Sequence, residues 1–540
     1  MNSGMHLPAR RSIANRYAVI AAAGGALLSI GVPALLSSST GSWGIPHNDD
    51  WAFTKIAEEF ADSGHVRLPG WNNTGVLGQA LLLGPLGGDA WARHLLVVVC
   101  AAAALASVFQ LLASRSGAFA AAVGTLTLAA ASSFGLLASS FMTDLPTLSA
   151  IAVCLALGEA AVRRESPVML GTAVLIGVWG TSIREQALFA PMAVLLVAVL
   201  AHKSVRMTRA AIALGAASLC LVLVYEVWRR ALPNAMNPVS TPTPAAGLVS
   251  IVRIHFTVAL MLFPALLFAA NPKEWRPLAR LSGLAVVALG VALTAMGKPV
   301  ALGNYLDRHG AYAAASLGAR TVLPSPLFWM VMIIGVLSGG LLAGHLISRW
   351  RSVDRPAKLY VAGALIVASA PVFLGQPPMD RYLLPSVLTG LLVVLESVNA
   401  GSVPARLEWF GGRPRRVTLV GAALSVSWVL SLLLTANALA YDGARWRAAE
   451  ALVSRGVPAT DVDAGLEWDG MHARTPVSLG EQGRTTVLHW ATRMFPESRE
   501  CYVVAGAPLA GLVEVARSSY GTYAVFGISQ VRTYQVDPCR

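Results

Sequence analysis

Apolar residues in this chain fall into long runs separated by short polar stretches where Lys and Arg collect. The first run, Tyr17 to Leu36, follows Arg10, Arg11 and Arg16. At roughly 20 residues it is long enough to cross a bilayer core. No small-residue cleavage pattern precedes the next polar stretch, so it reads as a retained first helix. Further spans are predicted over 91–113, 117–138, 145–162, 168–183, 186–201, 208–229, 250–270, 280–297, 327–348, 358–375, 382–400 and 417–440. Two of them, 168–183 and 186–201, are short and read equally as one interrupted pair or as two tilted partial spans. The pattern predicts an all-α polytopic bundle of about thirteen transmembrane helices over residues 1–440. Residues 441–540 break the pattern. A helix over Asp442 to Gly456 and short strands at Thr485–Leu488, Cys501–Ala505 and Tyr523–Phe526 predict a small α/β domain there.

Composition agrees: 55% of residues are hydrophobic, 13% are charged and the mean hydropathy is +0.60. The formal net charge of +13 does not indicate nucleic-acid binding. Its cations sit in short loops between spans, where they orient a membrane protein, and form no single stripe. With the N-terminus inside, the inner loops hold Arg115, Arg163, Arg164, Lys203, Arg206, Arg209, Lys273, Arg276 and Arg280. They also hold Arg349, Arg351, Arg355, Lys358, Arg406, Arg413, Arg415 and Arg416. Together with the N-terminal arginines this is about 20 basic residues, against about 11 outside. An odd number of spans places the tail outside, and a Cys501–Cys539 disulfide could persist there. Cys100, Cys154 and Cys220 fall in spans, as apolar thiols do.

The predicted outer segments are longer than bundle connections need. In the first, 37–90, Trp51-Ala52-Phe53, Ile56-Ala57 and Phe60-Ala61 recur at helical spacing. Lys55, Glu58, Glu59 and Asp62 fill the other face. This predicts an amphipathic helix along the membrane surface, ended by Gly64. Just before it stands His47-Asn48-Asp49-Asp50-Trp51. Adjacent acids at a helix start have two readings: caps for orphan N–H groups, or a general base or metal ligand held at the interface.

The segment from His47 to Phe53, followed by Ile56-Ala57-Glu58 and Ser63-Gly64, resembles the first outer loop of GT-C class glycosyltransferases. That class includes the protein O-mannosyltransferases and the aminoarabinose transferases that modify lipid A. The resemblance aligns Asp49 with the catalytic aspartate and Asp50 with the second acid. It implies an inverting hexosyl- or pentosyltransferase of bacterial type, working at the outer face of the cytoplasmic membrane. The donor would be a polyprenyl-phosphate-linked sugar and the acceptor an envelope glycan, lipid or protein. The resemblance fixes no cofactor; Asp50 and Asp144 would orient the acceptor or hold a divalent cation.

The same resemblance draws in other outer positions. Asp144 follows Phe141-Met142-Thr143 and reads either as a site acid or as a cap. Arg184-Glu185 is a charged pair at an outer helix end, binding substrate or bracing helices. Met379-Asp380-Arg381-Tyr382 resembles a late outer loop in which Arg381 contacts the lipid phosphate, while Arg381 and Tyr382 also read as interface anchors. Arg253, His255 and Lys298 read as further phosphate-binding candidates or as snorkelling anchors, and Asp307-Arg308-His309 as a loop that closes over substrate or as a solvated turn. Walker A, zinc-protease and Gly-x-Ser-x-Gly patterns are absent, so a nucleotide-sugar donor is not supported. The alternative reading is a transporter or flippase of a lipid-linked sugar.

Overall fold

The computed structural model describes residues 7–71, 76–84, 89–201, 204–234, 244–312, 321–396, 414–477, 492, 494–522, 527–537 and 539. The helices in chain order are α1 Leu7–Thr40, α2 Asp50–Ser63, α3 Leu77–Leu83, α4 Ala90–Ser116, α5 Ala118–Ala129, α6 Phe134–Leu137, α7 Asp144–Arg164, α8 Pro167–Ile183 and α9 Phe189–Ala201. There follow α10 Val205–Arg230, α11 Pro244–Met261, α12 Phe263–Ala269, α13 Pro277–Ala295, α14 Ser325–Arg349, α15 Arg355–Phe373, α16 Leu384–Glu396, α17 Pro414–Val453 and α18 Leu466–His472. Among the described residues, 8 helices are long and apolar enough to cross a membrane, or 9 if the bent pair α11–α12 counts as one span. The chain is a polytopic helical membrane protein.

Several predicted spans are broken, each for a local reason. The run 250–270 bends by 69° between Met261 and Phe263. Pro264 in the first turn of α12 explains the break, since its ring cannot continue the helix before it. The run 117–138 stops at Ala129 and resumes only as the single turn α6. The pair 168–183 and 186–201 is interrupted at Arg184, whose backbone is extended, and a short 3-10 turn, Glu185–Leu188, leads into α9. The run 382–400 is helical to Glu396, and its remainder lies outside the described residues.

The core is a continuous apolar cluster among the bundle helices, with Leu105, Val108, Leu148, Ile151, Val194 and Leu391 all buried. At one end of the bundle Arg115 is buried among Glu159, Asp354 and Glu396. A cation counted from sequence as a loop charge is thus an internal cross-link between α4, α7 and α15.

The helix α17 has 40 residues. At 1.5 Å per residue it runs about 60 Å, twice a hydrocarbon core, so it crosses the bundle and continues beyond it. Its far end packs on a 4-stranded sheet of order β1-β2-β4-β3. The strands are β1 Val462–Asp463, β2 Tyr502–Ala505, β3 Val513–Thr522 and β4 Gly527–Gln535. The pair β1–β2 is parallel and the others antiparallel, with a bulge at Glu514–Ala516. Of the three predicted strands, Cys501–Ala505 is β2; Thr485–Leu488 and Tyr523–Phe526 lie outside the described residues. Cys501 and Cys539 are disulfide-bonded.

The helix α2 carries the predicted amphipathic face, and Gly64, at φ 70°, closes it by donating to the Phe60 carbonyl. It packs against α3 and α18. Its Trp51 lies against Gly470, where a Cβ would stand 2.3 Å from the indole. Only glycine permits that approach.

Candidate functional site

The turn His47–Asp49 delivers two neighbouring carboxylates in different directions. The Asp49 side chain makes no capping hydrogen bond to α2, which removes the cap reading for that residue. Its Oδ1 accepts from Trp71 Nε1 at 2.8 Å, and its Oδ2 pairs with the guanidinium of Arg381. Asp50 points inward, buried, and accepts from the Phe141 backbone N–H at 2.8 Å and the Thr54 hydroxyl at 2.9 Å. Burial raises its pKa, and the N–H of Phe141 opposes that rise. Asp50 therefore ties the loop before α7 to the start of α2.

Arg381 is 2% exposed and lies beside Tyr382, donating to its hydroxyl at 3.1 Å. The Arg381 guanidinium lies 5.0 Å from the Tyr382 ring and 5.8 Å from that of Tyr305. The Tyr382 ring also carries Arg184, whose guanidinium carbon stands 4.1 Å from the ring centroid. Arg184 in turn donates to Asp144 Oδ1 at 2.8 Å. The result is a linked chain of side chains, Asp49–Arg381–Tyr382–Arg184–Asp144, with an acid at each end and two arginines over one tyrosine ring between them, built from four distant segments. It is not fully satisfied internally. Arg381 Nε and Nη1, Asp144 Oδ2 and the Tyr305 hydroxyl are buried with no hydrogen-bond partner among the described residues. Buried polar groups of this kind are costly unless something binds them.

The local fold explains how these side chains reach one place. The extended Arg184 sits where α8 ends, so its side chain can turn back towards α7. Arg381 occupies a 3-10 turn, Asp380–Leu383, ahead of α16. Asp380 is wholly buried and accepts from the backbone N–H groups of Tyr305, Leu306 and Arg381. Burial lifts its pKa to about 6 despite those three donors. Asp380 thus clamps the 298–312 segment against the Arg381 turn and brings Tyr305 to the site. Burial also raises the pKa of Tyr305, keeping its phenol protonated and able to donate.

Other candidates lie apart from this chain. Glu185 does not pair with Arg184; it faces Arg229 at 3.6 Å and is half-exposed. Consecutive residues diverge there because one is extended and the next begins a helical turn. Arg253 donates to the Ala301 carbonyl at 2.7 Å, and His255 Nε2 lies 3.1 Å from the Gly339 carbonyl oxygen. Each of these side chains thus meets a main-chain carbonyl. Lys298 is exposed just after α13. The Asp307 carboxylate accepts from the His309 N–H at 2.8 Å, a local turn.

Among the described residues, Asp50 and Asp144 belong to no group of three or more His, Cys, Asp or Glu whose ligand atoms converge. Asp50 is taken by Thr54 and Phe141, and Asp144 by Arg184. Among the described residues, the one acid, Cys and His group whose ligand atoms approach closely is Asp461, Cys501 and Cys539, and its two sulfurs are bonded to each other. Trp71 and Tyr305 were not singled out from sequence. An isolated aromatic in a long polar segment carries no periodic signal.

No family model matches the chain, and no curated protein matches it. Among solved structures it is similar to ArnT from Cupriavidus metallidurans in the apo state, at 15% identity and a TM-score of 0.40, over 96% of this chain and 98% of that one. It is likewise similar to ArnT from Cupriavidus metallidurans bound to undecaprenyl phosphate, at 16% identity and a TM-score of 0.38, over 96% and 99% of the two chains.

Proposed function

We propose that the protein is a membrane glycosyltransferase of GT-C type that moves a sugar from a polyprenyl-phosphate-linked donor to an envelope acceptor. In this reading the chain crosses the cytoplasmic membrane about thirteen times, its N-terminus is cytoplasmic and residues 441–540 lie outside. The observation that carries the proposal is the Asp49–Arg381–Tyr382–Arg184–Asp144 chain, with Arg381 buried, Arg184 part-buried and unpartnered N–H groups on Arg381. Two guanidiniums beside a carboxylate suit a reaction in which a phosphate departs as a hydroxyl is deprotonated.

The acceptor hydroxyl oxygen attacks the anomeric carbon, the bond from that carbon to the phosphate oxygen breaks, and the electron pair leaves on the phosphate. Arg381 and Arg184 meet the growing charge on the phosphate. As Arg381 turns to the phosphate, Asp49 Oδ2 is released to take the hydroxyl proton. Attack opposite the leaving group inverts the anomeric centre. The donor class includes the undecaprenyl phosphate type of carrier seen with ArnT. The support lies in the side chains of this site.

The test is release of polyprenyl phosphate by purified full-length protein from labelled polyprenyl phosphohexose or phosphopentose, with envelope glycolipid extract as acceptor. Release coupled to labelled acceptor supports the reading. The flippase alternative, which the bent α11–α12 pair favours, moves labelled lipid across vesicles with its phosphate–sugar bond intact.

A further inference from the structure

Next to Asp49 stands a set of buried charges that the proposed chemistry does not use. Asp442 and Arg445 stand one turn apart on α17, and Arg445 donates to Asp442 Oδ1 at 3.1 Å and to Glu467 Oε2 at 2.8 Å. His47 Nδ1 lies 2.7 Å from Asp442 Oδ2, and the Tyr312 hydroxyl donates to the same oxygen at 2.5 Å. Glu467 Oε1 accepts the backbone N–H of Asn48 at 3.1 Å. His47, Asp442, Arg445 and Glu467 are all at most 4% exposed. A buried ionic network is a weak source of stability, because desolvation offsets much of the attraction. What it holds in place is the better question.

It holds Asn48, at φ 59°, in the left-handed region that residues with a Cβ seldom occupy. Asn48 immediately precedes Asp49. The peptide on its N-terminal side is anchored twice, by the His47 ring on Asp442 and by the Asn48 N–H on Glu467. Return of Asn48 to an ordinary negative φ would swing the Asp49 carboxylate away from Trp71 and Arg381. The anchoring acids come from α17 and α18, some 400 residues further along the chain (separations of 395 and 419).

We propose that Glu467, with Asp442 and Arg445, is a positioning element that holds the Asn48 backbone left-handed and so aims Asp49 at its reaction partner. The C-terminal segment then acts on turnover without touching substrate. This rests on the reading of Asp49 as the general base.

Glu467→Gln keeps one oxygen acceptor, which the Asn48 N–H shares with Arg445, whereas Glu467→Ala removes both oxygens. Misplacing a reacting group by about 1 Å costs on the order of 100-fold, so E467A loses kcat on that scale while its donor KM stays within about threefold. E467Q recovers most of the loss. Amide exchange of the peptide around 45–53 reports the anchor without reference to activity: protection is lost in E467A and kept in E467Q. Asn48→Gly accepts positive φ and Asn48→Val resists it, so N48G turns over at least about tenfold faster than N48V with the acidic network intact. Unchanged kcat in E467A, equal losses in E467A and E467Q, or equal rates in N48G and N48V would each overturn the proposal. Where E467A does not accumulate in membranes, exchange protection in E467Q tests the anchor and the Asn48 pair tests the left-handed requirement. Wild-type protein that releases no polyprenyl phosphate sinks the transferase reading instead, and the exchange measurement still tests the anchor.

Discussion

Replacing Asp49 by Asn changes almost no volume and removes one charge, so its consequences can be separated. In the native site Oδ1 serves the Trp71 N–H and Oδ2 serves Arg381. An Asn side chain keeps one acceptor; its NH2 must then face either the indole N–H or the guanidinium. Breaking a fully buried ion pair costs about 3–5 kcal/mol. The Asp49 side chain is 18% exposed, and one hydrogen bond survives, so a destabilisation of about 1–2 kcal/mol is expected. Loss of a general base costs roughly 10²–10⁴ in rate, or about 2.7–5.4 kcal/mol of barrier. The catalytic effect is the larger, and it does not depend on the folded fraction. Polyprenyl phosphate release by purified D49N in detergent should therefore fall by at least about 100-fold. Its thermal midpoint should drop by only a few degrees. Turnover within threefold of wild type, at normal membrane yield, would refute the role of Asp49.

Arg381→Lys keeps the charge but not the planar fork, so the donor KM should rise by about 10–100-fold with a smaller change in kcat, measured by steady-state release. Asp380 titrates near 6 in the fold, above its ordinary value of 3.8, so the native state binds the extra proton between these values. The contribution of Asp380 to stability is greatest below that window and declines as pH rises through it; between pH 4 and 7, thermal melts of Asp380→Asn should lack that component of the wild-type slope. The chain has 5 cysteines, of which Cys100, Cys154 and Cys220 are free. Alkylation of denatured protein followed by mass spectrometry should label those three alone, and all five only after reduction. Ala at Gly470 would collide with Trp51, and a cost of about 1–3 kcal/mol should appear as a lower thermal midpoint with altered Trp fluorescence.

Much of the fold was legible because it is local. An apolar run long enough to span and a glycine that closes α2 each depend on a few neighbouring residues. The strand Cys501–Ala505 and the helical reading of Asp442 onward are of the same kind. Even the broad grouping of Asp49, Asp144, Arg184 and Arg381 on one side followed from counting spans and loop charges, because burying charge in lipid is costly.

What the sequence could not decide is how side chains pair. Asp49 and Asp50 differ by one position, yet one meets Arg381 and the other caps a buried loop with Phe141 and Thr54. Arg184 and Glu185 separate for the same reason: a single backbone torsion at a helix break sends them to Asp144 and Arg229. Arg115 counts as a topological charge in the sequence and is an internal cross-link in the fold. The pairing of Asp49 with Arg381 spans 332 residues, and no local period encodes a contact of that range. Local chemistry chose the helices. Only the packing of the bundle, and of α17 and α18 against its first loop, chose which acid faces which base.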